Sequence, residues 1–446
     1  MNDFDANHHP TAQTSSQSEA LYERAKRVMP GGNTRTTVFQ EPYPTYALRG
    51  AGERVVDVDG VERVDFLNNY TSLIHGHADP DVISAVTDQL QQGTSFGLPT
   101  PHEIDLAELL AERIPSIEQV RFSNSGTEAV MSALQAARAY TGRPRIAKFE
   151  GSYHGNYDFA GVSTTIPESV KDLELPPAIA YGEGTPKEIV DNVLVLRYND
   201  EQMAEEQIRA HADSLACVLV DPMPWRMGLI SGNVSFLQRL RDLTRELGIV
   251  LIFDEVITLR VGPGGLQGDI GITPDLTTMG KIIGGGFPAG AVGGSAQIMQ
   301  VFDPRGGKPR VPHGGTFSAN PVTMRAGLVT MEKLTPEVFD HLSHLGAYIR
   351  ANLAETLGEL GVPGQVTGKG SLFGVHFHNR PLAGYWDFHG ESNERKVRSA
   401  VYHELLNNGF MVAPAMTGCV STIMSQDHAD AFIDGFAQSV RSVISS

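Results

Sequence analysis

One aspartate and one lysine stand in sequence settings that favour catalysis. Asp254 ends an apolar run, and Lys281 stands among apolar residues ahead of three glycines. In an open parallel sheet, ligands bind beyond the carboxyl ends of the strands, so Asp254 is a candidate site residue. The alternative for Asp254 is a surface carboxylate or a helix cap. Desolvation lowers the pKa of a lysine, and Schiff-base chemistry needs a neutral amine, although most lysines in such a setting merely reach the surface.

Three further segments offer contacts for an anionic, planar ligand. Ser125, Gly126 and Thr127 follow a predicted strand and precede a predicted helix. A helix N-terminus binds phosphate through unpaired N–H groups and the helix dipole, although the same residue types also form ordinary helix caps. Tyr153 stands in a glycine-bracketed run and can lie flat on a planar ligand. The loop that contains Thr316 offers a hydroxyl that can cap an anion.

Composition excludes several classes of function. The chain has 446 residues, of which 41% are hydrophobic and 20% charged, and a formal net charge of −17. It is long enough for two or three packed units, and its acidity argues against nucleic-acid and membrane partners. Residues 1–17 are polar and are expected to form a disordered tail. Cys217 and Cys419 lie in apolar runs, which favours a reducing compartment and a cytoplasmic protein. His75 and His77 lack a third ligand at suitable spacing, so we expect no metal.

Alternating strands and helices must position these residues. Short β-branched runs separate amphipathic segments through the middle of the chain, and this alternation predicts a mostly parallel sheet covered by helices. The predicted strands are residues 120–122, 145–149, 216–220, 250–253 and 290–293, and the predicted helices are residues 127–140, 201–211 and 235–247. Residues 163–193 show no sustained period. The last part of the chain predicts a smaller α+β unit, with a long helix at 336–360, strands at 371–378 and 410–414, and a final helix.

The order of the candidate residues resembles that of one known family. Phosphate turn, tyrosine, strand-end aspartate, lysine and Gly-Thr-Phe loop follow one another as in the class III pyridoxal-phosphate (PLP) aminotransferases. The likeness is greatest to the branch that contains glutamate-1-semialdehyde aminomutase and the β-amino-acid (β-phenylalanine) aminotransferases, and it runs from residue 27 to the last helix. The resemblance implies an α/β protein with the PLP-dependent transferase fold type I, like aspartate aminotransferase.

The resemblance also implies a role for each matching residue. Lys281 would carry PLP as a Schiff base, and Asp254 would keep its pyridine nitrogen protonated. Thr316 would reach the phosphate bound by a neighbouring subunit, which implies a homodimer with shared active sites. The remaining cofactor contacts would come from residues at the family's ring and phosphate positions: Tyr153, Val256, Ser125, Gly126 and Thr127.

The same resemblance divides the chain into a large and a small domain. Residues 66–330 would form the large PLP-binding domain. The small domain would combine residues 18–65 with residues 331–446.

The implied activity is that of a transaminase with two half-reactions. An amine or amino acid, including one with a β- or ω-amino group, would pass its amino group through Lys281 and pyridoxamine phosphate to a keto acid. The alternative is an aminomutase or an amino-acid epimerase, because these enzymes use the same lysine, aspartate and phosphate turn. A PLP-fold regulator would need an attached DNA-binding module, and the polar tail is too short for one.

Two arginines are candidate ligands for a substrate carboxylate. Arg35 lies where the related enzymes carry such an arginine, although it is alternatively an exposed basic residue in a loop. Trp225 and Arg226 follow Asp221-Pro where the family has smaller residues, and we expect them to reshape the pocket floor. Arg226 either binds a second carboxylate or pairs with an acidic neighbour. Residues 412–420 lack the arginine of some relatives, which favours an amine or an amino acid whose amino group lies away from its carboxylate.

Overall fold

A computed structural model describes residues 16–445 of the chain. Its strands are β1 (Ala47–Ala51), β2 (Arg54–Asp57), β3 (Glu62–Asp65), β4 (Gln119–Ser123), β5 (Arg145–Phe149), β6 (Val193–Leu196), β7 (Leu215–Val220), β8 (Val250–Asp254), β9 (Leu276–Gly280), β10 (Gly290–Gly294), β11 (Gln365–Thr367), β12 (Leu372–His376), β13 (Phe410–Met411) and β14 (Thr417–Cys419). Its helices are α1 (Gln17–Ala25), α2 (Asn68–Thr71), α3 (Pro80–Gln92), α4 (Pro101–Arg113), α5 (Gly126–Thr141), α6 (Asp158–Gly161), α7 (Lys187–Asp191), α8 (Glu201–Ala210), α9 (Val234–Glu246), α10 (Gly265–Ile270), α11 (Ala296–Met299), α12 (Pro321–Glu332), α13 (Pro336–Glu359), α14 (Tyr385–His389), α15 (Ser392–Asn407) and α16 (Gln426–Ser445).

A seven-stranded sheet forms the centre of the molecule, in the order β4-β10-β9-β8-β7-β5-β6. Neighbouring strands run parallel from β9 to β6, whereas β10 is antiparallel to both β9 and β4. Every residue of β7, β8 and β9 is buried. Strands covered on both faces are usually continuous apolar runs, and this is why β7 and β8 were visible in the sequence.

Helices cover both faces of this sheet. On one face, α5 packs its alanine-rich side against β7, β9 and β10. On the other face, α8 and α9 enclose a core that contains Phe149, Phe236 and Phe253. The α/β fold class predicted from the sequence is confirmed, because helices cover both faces of a mostly parallel sheet.

Both ends of the chain meet in a second sheet. Its order is β1-β2-β3-β13, in which β13 runs parallel to β3 although almost 350 residues separate them, as Phe410 pairs with Val64. A third sheet, β11-β12-β14, packs with α13 and α16 around the aromatic cluster of Phe66, Phe373 and Phe432. Residues 1–15 of the predicted tail lie outside the described residues, and α1 begins at Gln17. Between residues 16 and 445, no helix has the length and apolarity to span a membrane.

Two strands of the large sheet were missing from the sequence-based prediction. β9 contains two threonines and a glycine, so it lacks an apolar run, and it is buried because β8 and β10 flank it. β6 follows directly on the segment without periodicity, within which α7 is a single short helix. The other predicted strands and helices agree with the structure to within a few residues at each end.

Arg260 joins the large sheet's loops to the segments from the chain ends. Its side chain is fully buried. Its donors reach buried acceptors in three separate segments, and these are Ser371 Oγ (2.9 Å), Thr71 O (2.9 Å), Cys419 Sγ (3.1 Å) and Val420 O (2.6 Å). No carboxylate among residues 16–445 forms an ion pair with it, so hydrogen bonds alone compensate for burial of the cation.

We predict that Arg260→Met destabilises the chain by about 3–5 kcal/mol, because buried acceptors lose their donor and no water replaces it. The unfolding rate in denaturant is the measurement, since a chain of this size rarely unfolds in two states. Arg305→Met is the matched control, because Arg305 is 85% exposed, and it should leave the rate unchanged. Similar unfolding rates for the two variants would contradict the assignment of Arg260 as a buried junction.

Candidate active site

A cavity of about 300 Å³ opens at the carboxyl edge of the large sheet. Its walls come from the segments that follow β4, β5, β7, β8 and β9 and from the segment that precedes β10. The residues that line it are Asn124, Ser125, Gly126, Thr127, Tyr153, His154, Gly155, Asp221, Asp254, Val256, Ile257, Lys281, Phe287, Pro288 and Ala289. Seven of the residues singled out from the sequence therefore lie together: Ser125, Gly126, Thr127, Tyr153, Asp254, Val256 and Lys281.

Asp254 is the last residue of β8, and its carboxylate is held by three donors. His154 Nδ1 lies 2.7 Å from Asp254 Oδ2, Thr278 Oγ1 donates to Oδ1 at 3.1 Å, and the Val256 N–H donates to Oδ1 at 3.2 Å. Asp254 is only 5% exposed. Donors of this kind stabilise a carboxylate anion, and they fix its direction at the cavity wall.

Lys281 follows β9 directly and has a backbone φ of 51°. A side chain with a Cβ rarely adopts this left-handed conformation, and such residues are concentrated at functional sites. Burial lowers the pKa of Lys281, while the negative charges of Asp254 and Asp221 act in the opposite direction. The lowered pKa increases the fraction of neutral amine, which is the nucleophilic form.

The N-terminus of α5 forms one end of the cavity. Ser125 is its N-cap residue and accepts the Glu128 N–H at 3.2 Å. Gly155 has a φ of 91°, and a Cβ on it would lie 2.3 Å from Thr127 Oγ1. A glycine is therefore required where the loop after β5 passes over the helix terminus. The result is a polar, positively polarised end suited to an anion.

Tyr153 and Val256 reach the cavity from different strand ends. Tyr153 is 43% exposed, and burial of the rest of its ring raises the pKa of its phenol. Val256 packs against Gly126, where an added Cβ would come within 3.1 Å of a Val256 methyl. The two side chains provide an aromatic and an aliphatic surface for a flat ligand.

Asp221 places a second carboxyl group beside Asp254. It follows β7, accepts the Met223 N–H at 2.9 Å, and is 7% exposed. Burial, and next the negative charge of Asp254, raise the pKa of Asp221. Two neighbouring carboxyl groups in a dry site avoid ionising together, so Asp221 is the member of the pair that favours the neutral acid.

Four residues singled out from the sequence do not line this cavity. Thr316 is exposed on its own loop, and Arg35 is exposed with its Nη1 3.0 Å from Asn69 Oδ1. Arg226 lies just outside, where its charge acts on Tyr153 and Tyr385. Trp225 was expected in the pocket floor, but it packs in an apolar cluster away from the cavity lining.

Sequence reasoning missed two polar groups of the cavity wall. His154 was available as the residue after Tyr153, but its contact with Asp254 joins positions 100 residues apart. Asp221 was named only as the residue that begins the segment of Trp225 and Arg226, and its place beside Asp254 follows from β7 and β8 being neighbours. Strand order, which the sequence does not display, would have revealed both.

Comparison with known proteins decides the family. The model of the family described as aminotransferase class III matches residues 37–440. The chain belongs to the class III aminotransferases. This enzyme is therefore a PLP-dependent aminotransferase, and the family, fold and cofactor predicted from the sequence are confirmed.

Several relatives resemble this aminotransferase along almost its whole length. An omega-transaminase from Sphaerobacter thermophilus is 58% identical, with a TM-score of 0.95 and coverage of 96% of this chain and 98% of that one. A β-phenylalanine aminotransferase from Variovorax paradoxus is 37% identical, with a TM-score of 0.85 and coverage of 95% and 94%. A glutamate-1-semialdehyde 2,1-aminomutase from Methanothermobacter thermautotrophicus is 39% identical over 94% of this chain and 97% of its own length.

We predict that Asp221→Asn raises stability at neutral pH. The folded protein holds the Asp221 proton more tightly than the unfolded chain does, because its pKa is raised. The stability from this bound proton is complete below the unfolded pKa of about 4 and is lost as pH rises through the folded pKa. Asparagine cannot ionise, so the variant should gain on the wild type as the pH rises from about 4 through the folded pKa.

The denaturation midpoint at several pH values is the measurement. Asp88→Asn is the control, because Asp88 is exposed on α3. The difference in denaturation midpoint between Asp88→Asn and the wild type should not grow as the pH rises. A difference for Asp221→Asn that stayed constant or shrank with rising pH would contradict the neutral acid.

Proposed function

We propose that this enzyme transfers an amino group from a β- or ω-amino substrate to a keto acid, with Lys281 as the cofactor-binding amine. The observation that carries the proposal is the meeting of Lys281, Asp254 and the N-terminus of α5 in one cavity. The names of two similar solved structures, omega-transaminase and β-phenylalanine aminotransferase, support the substrate class.

The residues of the cavity match the chemical needs of PLP. When bound, PLP supplies an aldehyde that accepts an amino group and a ring that withdraws electrons from the substrate carbon. Asp254 would hold a proton on the ring nitrogen, because its anion lies at the cavity wall and His154 fixes its direction. Ser125, Gly126 and Thr127 would bind the phosphate through the donors at the start of α5.

Lys281 would move the proton that the reaction transfers. Its amine is depressed in pKa by burial, so it accepts a proton from the substrate carbon at neutral pH and returns it as a general acid. Tyr153 and Val256 would hold the ring between them, which keeps the reacting carbon within reach of Lys281.

We further propose a homodimer in which Thr316 completes the partner's phosphate site. Thr316 is exposed and does not line the cavity of its own chain. Phe317, the next residue, is 61% exposed, and Ile104, which is 55% exposed, lines a surface pocket together with Gly315 and Ser318 of the same loop. Contact with a second copy would bury them and supply a hydrophobic interface.

We also propose a division of the chain into two domains and a cytoplasmic location. We place the large domain at residues 66–330 and the small domain at residues 18–65 and 331–446, because both chain ends share one sheet. Both cysteines, Cys217 and Cys419, are free and buried, which supports a reducing, cytoplasmic environment.

An aminomutase is the second candidate function, favoured by the relatives that carry this name. It rearranges one molecule and needs no separate acceptor. Incubation of the enzyme with an amino donor alone separates the two. A transaminase changes the absorption of its bound cofactor once and releases an aminated product only after a keto acid is added, whereas an aminomutase turns over without an acceptor.

We predict that borohydride reduction fixes the cofactor mass on Lys281. Peptide mass spectrometry should locate the label there, because Lys281 is the lysine that lines the described cavity. Lys281→Ala should lose turnover by several orders of magnitude, since one residue provides both the amine and the proton transfer.

Lys369→Ala is the matched control, because Lys369 forms an exposed ion pair with Asp269. It should keep both the label and the activity. Recovery of the label on another lysine would overturn the assignment.

We predict that one of the two candidate arginines, Arg35 or Arg226, binds the substrate carboxylate, and replacement of each in turn identifies it. Arg226 has no hydrogen bond or ion pair within residues 16–445, and its charge acts on Tyr153 of the cavity. Arg35 is instead held by Asn69. Replacing the arginine that binds the substrate carboxylate with alanine should cost about 2 kcal/mol, roughly a 30-fold loss in kcat/KM for amino acids.

The comparison of carboxylate substrates with simple amines is the measurement. Amines should react almost as before in the variant that has lost the carboxylate contact. Arg→Lys at the same position should recover only part of the loss, because an ammonium lacks the planar fork. Equal damage to amines and amino acids would show that the arginine supports the fold instead.

A further inference from the structure

Lys148 is a fully buried lysine that the proposed reaction does not use. It lies on β5 and is 0% exposed. Its Nζ donates to Ser152 O at 3.0 Å, Ala160 O at 2.7 Å and Val162 O at 2.7 Å, and lies 3.3 Å from Thr164 Oγ1. No carboxylate within residues 16–445 pairs with it. Three carbonyl acceptors at these distances require three N–H donors, which only the ammonium form provides.

The acceptors of Lys148 lie at both ends of one segment. Residues 151–164 leave β5, pass the cavity and return, and the Gly151 N–H donates to Ser163 O at 2.8 Å where the two ends meet. Thr164 Oγ1 donates to Ser152 O at 3.1 Å across the same junction. The lysine amine therefore lies at the base of a loop, which we call the 151–164 loop, and ties its first residues to its last.

This loop carries two groups of the cavity wall. Tyr153 and His154 both lie within the first residues after the Ser152 carbonyl. His154 Nδ1 contacts Asp254 at 2.7 Å, and the ring of His154 is buried. A shift of the Ser152 carbonyl would move both side chains, so the position of the loop base determines how Asp254 is held.

The charge of Lys148 also affects how His154 holds Asp254. Burial lowers the pKa of His154, the contact with Asp254 acts in the opposite direction, and the charge of Lys148 lowers the pKa further. A neutral His154 whose Nδ1 carries the proton is a donor to Asp254 and leaves the aspartate its full negative charge. Burial, and next the positive charge of Arg226, lower the pKa of Lys148 to about 7, whereas carbonyl acceptors in general favour the charged form of a lysine. A methionine would be easier to bury there, so the cation has a role besides packing.

We propose that Lys148 is a positioning residue for the cofactor site, because its buried amine ties both ends of the 151–164 loop and so places Tyr153 at the cavity and His154 against Asp254. This inference rests on the proposed function, in that it takes the cavity as the PLP site. Lys148 acts through the loop and does not itself line the cavity.

The test compares Lys148→Met with Arg350→Met in the full chain. Arg350 also donates to two backbone carbonyls, Gly370 O at 2.8 Å and Leu372 O at 2.7 Å, but lies away from the cavity. Titration of PLP into the cofactor-depleted full chain gives the dissociation constant. We expect about a tenfold or greater weakening for Lys148→Met, the equivalent of one lost charge-assisted hydrogen bond, and none for Arg350→Met.

Two further readouts separate positioning from general stability. Amide hydrogen exchange should accelerate in residues 152–164 of Lys148→Met and not in those of Arg350→Met. Lys148→Met should weaken PLP binding less in a Tyr153→Ala chain than in the wild type. One of the two side chains that Lys148 positions is already absent from that chain. Unchanged affinity and full additivity would overturn the proposal, whatever the melting temperature does.

If Lys148→Met does not fold, a milder variant tests the same proposal. Thr164→Val keeps the volume and removes one contact of the amine and one of Ser152. It should weaken PLP binding a few-fold and accelerate exchange at the loop base, and unchanged values for both would overturn the proposal. A wild-type chain that binds no PLP would defeat the proposed function itself, whereas wild-type binding with unaffected variants defeats only the role of Lys148.

Discussion

Burial of charged side chains at the carboxyl edge of the large sheet is the constraint on which the rest of the structure depends. Asp221, Asp254 and Lys281 all face one cavity of about 300 Å³. An ionisable group in a dry site either finds a partner for its charge or stays neutral, because an isolated ion there is costly. The donors to Asp254 come from three different segments, which are thereby held together around the cavity. A lysine and an aspartate that are oriented in this way meet the needs of a cofactor that combines an aldehyde with a basic ring nitrogen.

Glu255, the residue after Asp254, has a structural role that differs from that of Asp254. Glu255 is fully buried and turns away from the cavity. It accepts the N–H groups of Leu266 at 2.6 Å and Gln267 at 2.9 Å and the hydroxyl of Thr258 at 3.0 Å. Its partners thus fix the loop and helix that follow β8, and Arg260 continues this connection into the segments from the chain ends. Adjacent carboxylates on one strand therefore serve chemistry and architecture separately.

The sequence predicted the fold class and most of the cavity because both depend on local signals. Continuous apolar runs marked β7 and β8, and the cap at Ser125 marked the start of α5. Long-range contacts carried no such signal. His154 meets Asp254 only because β5 and β8 both flank β7 in the sheet. The buried environment of Lys148 likewise depends on the return of residues 160–164 to the end of β5, which no period in the sequence indicates.

A left-handed turn outside the large sheet lies beside Arg35, one of the two arginines proposed to bind the substrate. Asn68, Asn69, Tyr70 and Thr71 all have positive φ values, from 47° to 75°. A left-handed turn of four non-glycine residues is unfavourable and persists only where its surroundings hold it. Asp65 accepts the N–H groups of Leu67 and Asn68 at 2.8 Å, and Arg260 donates to Thr71 O.

The same left-handed turn presents Asn69 to Arg35. The sheet edge can thus remain constant while this turn, the loop of Arg35 and the turn at Arg226 vary. Such a separation explains why relatives named transaminase and aminomutase, which are 37–58% identical to this chain, share one fold. Loops of this kind can change without disturbing the buried core, whereas Asp254 and Lys281 lie at strand ends that the core fixes.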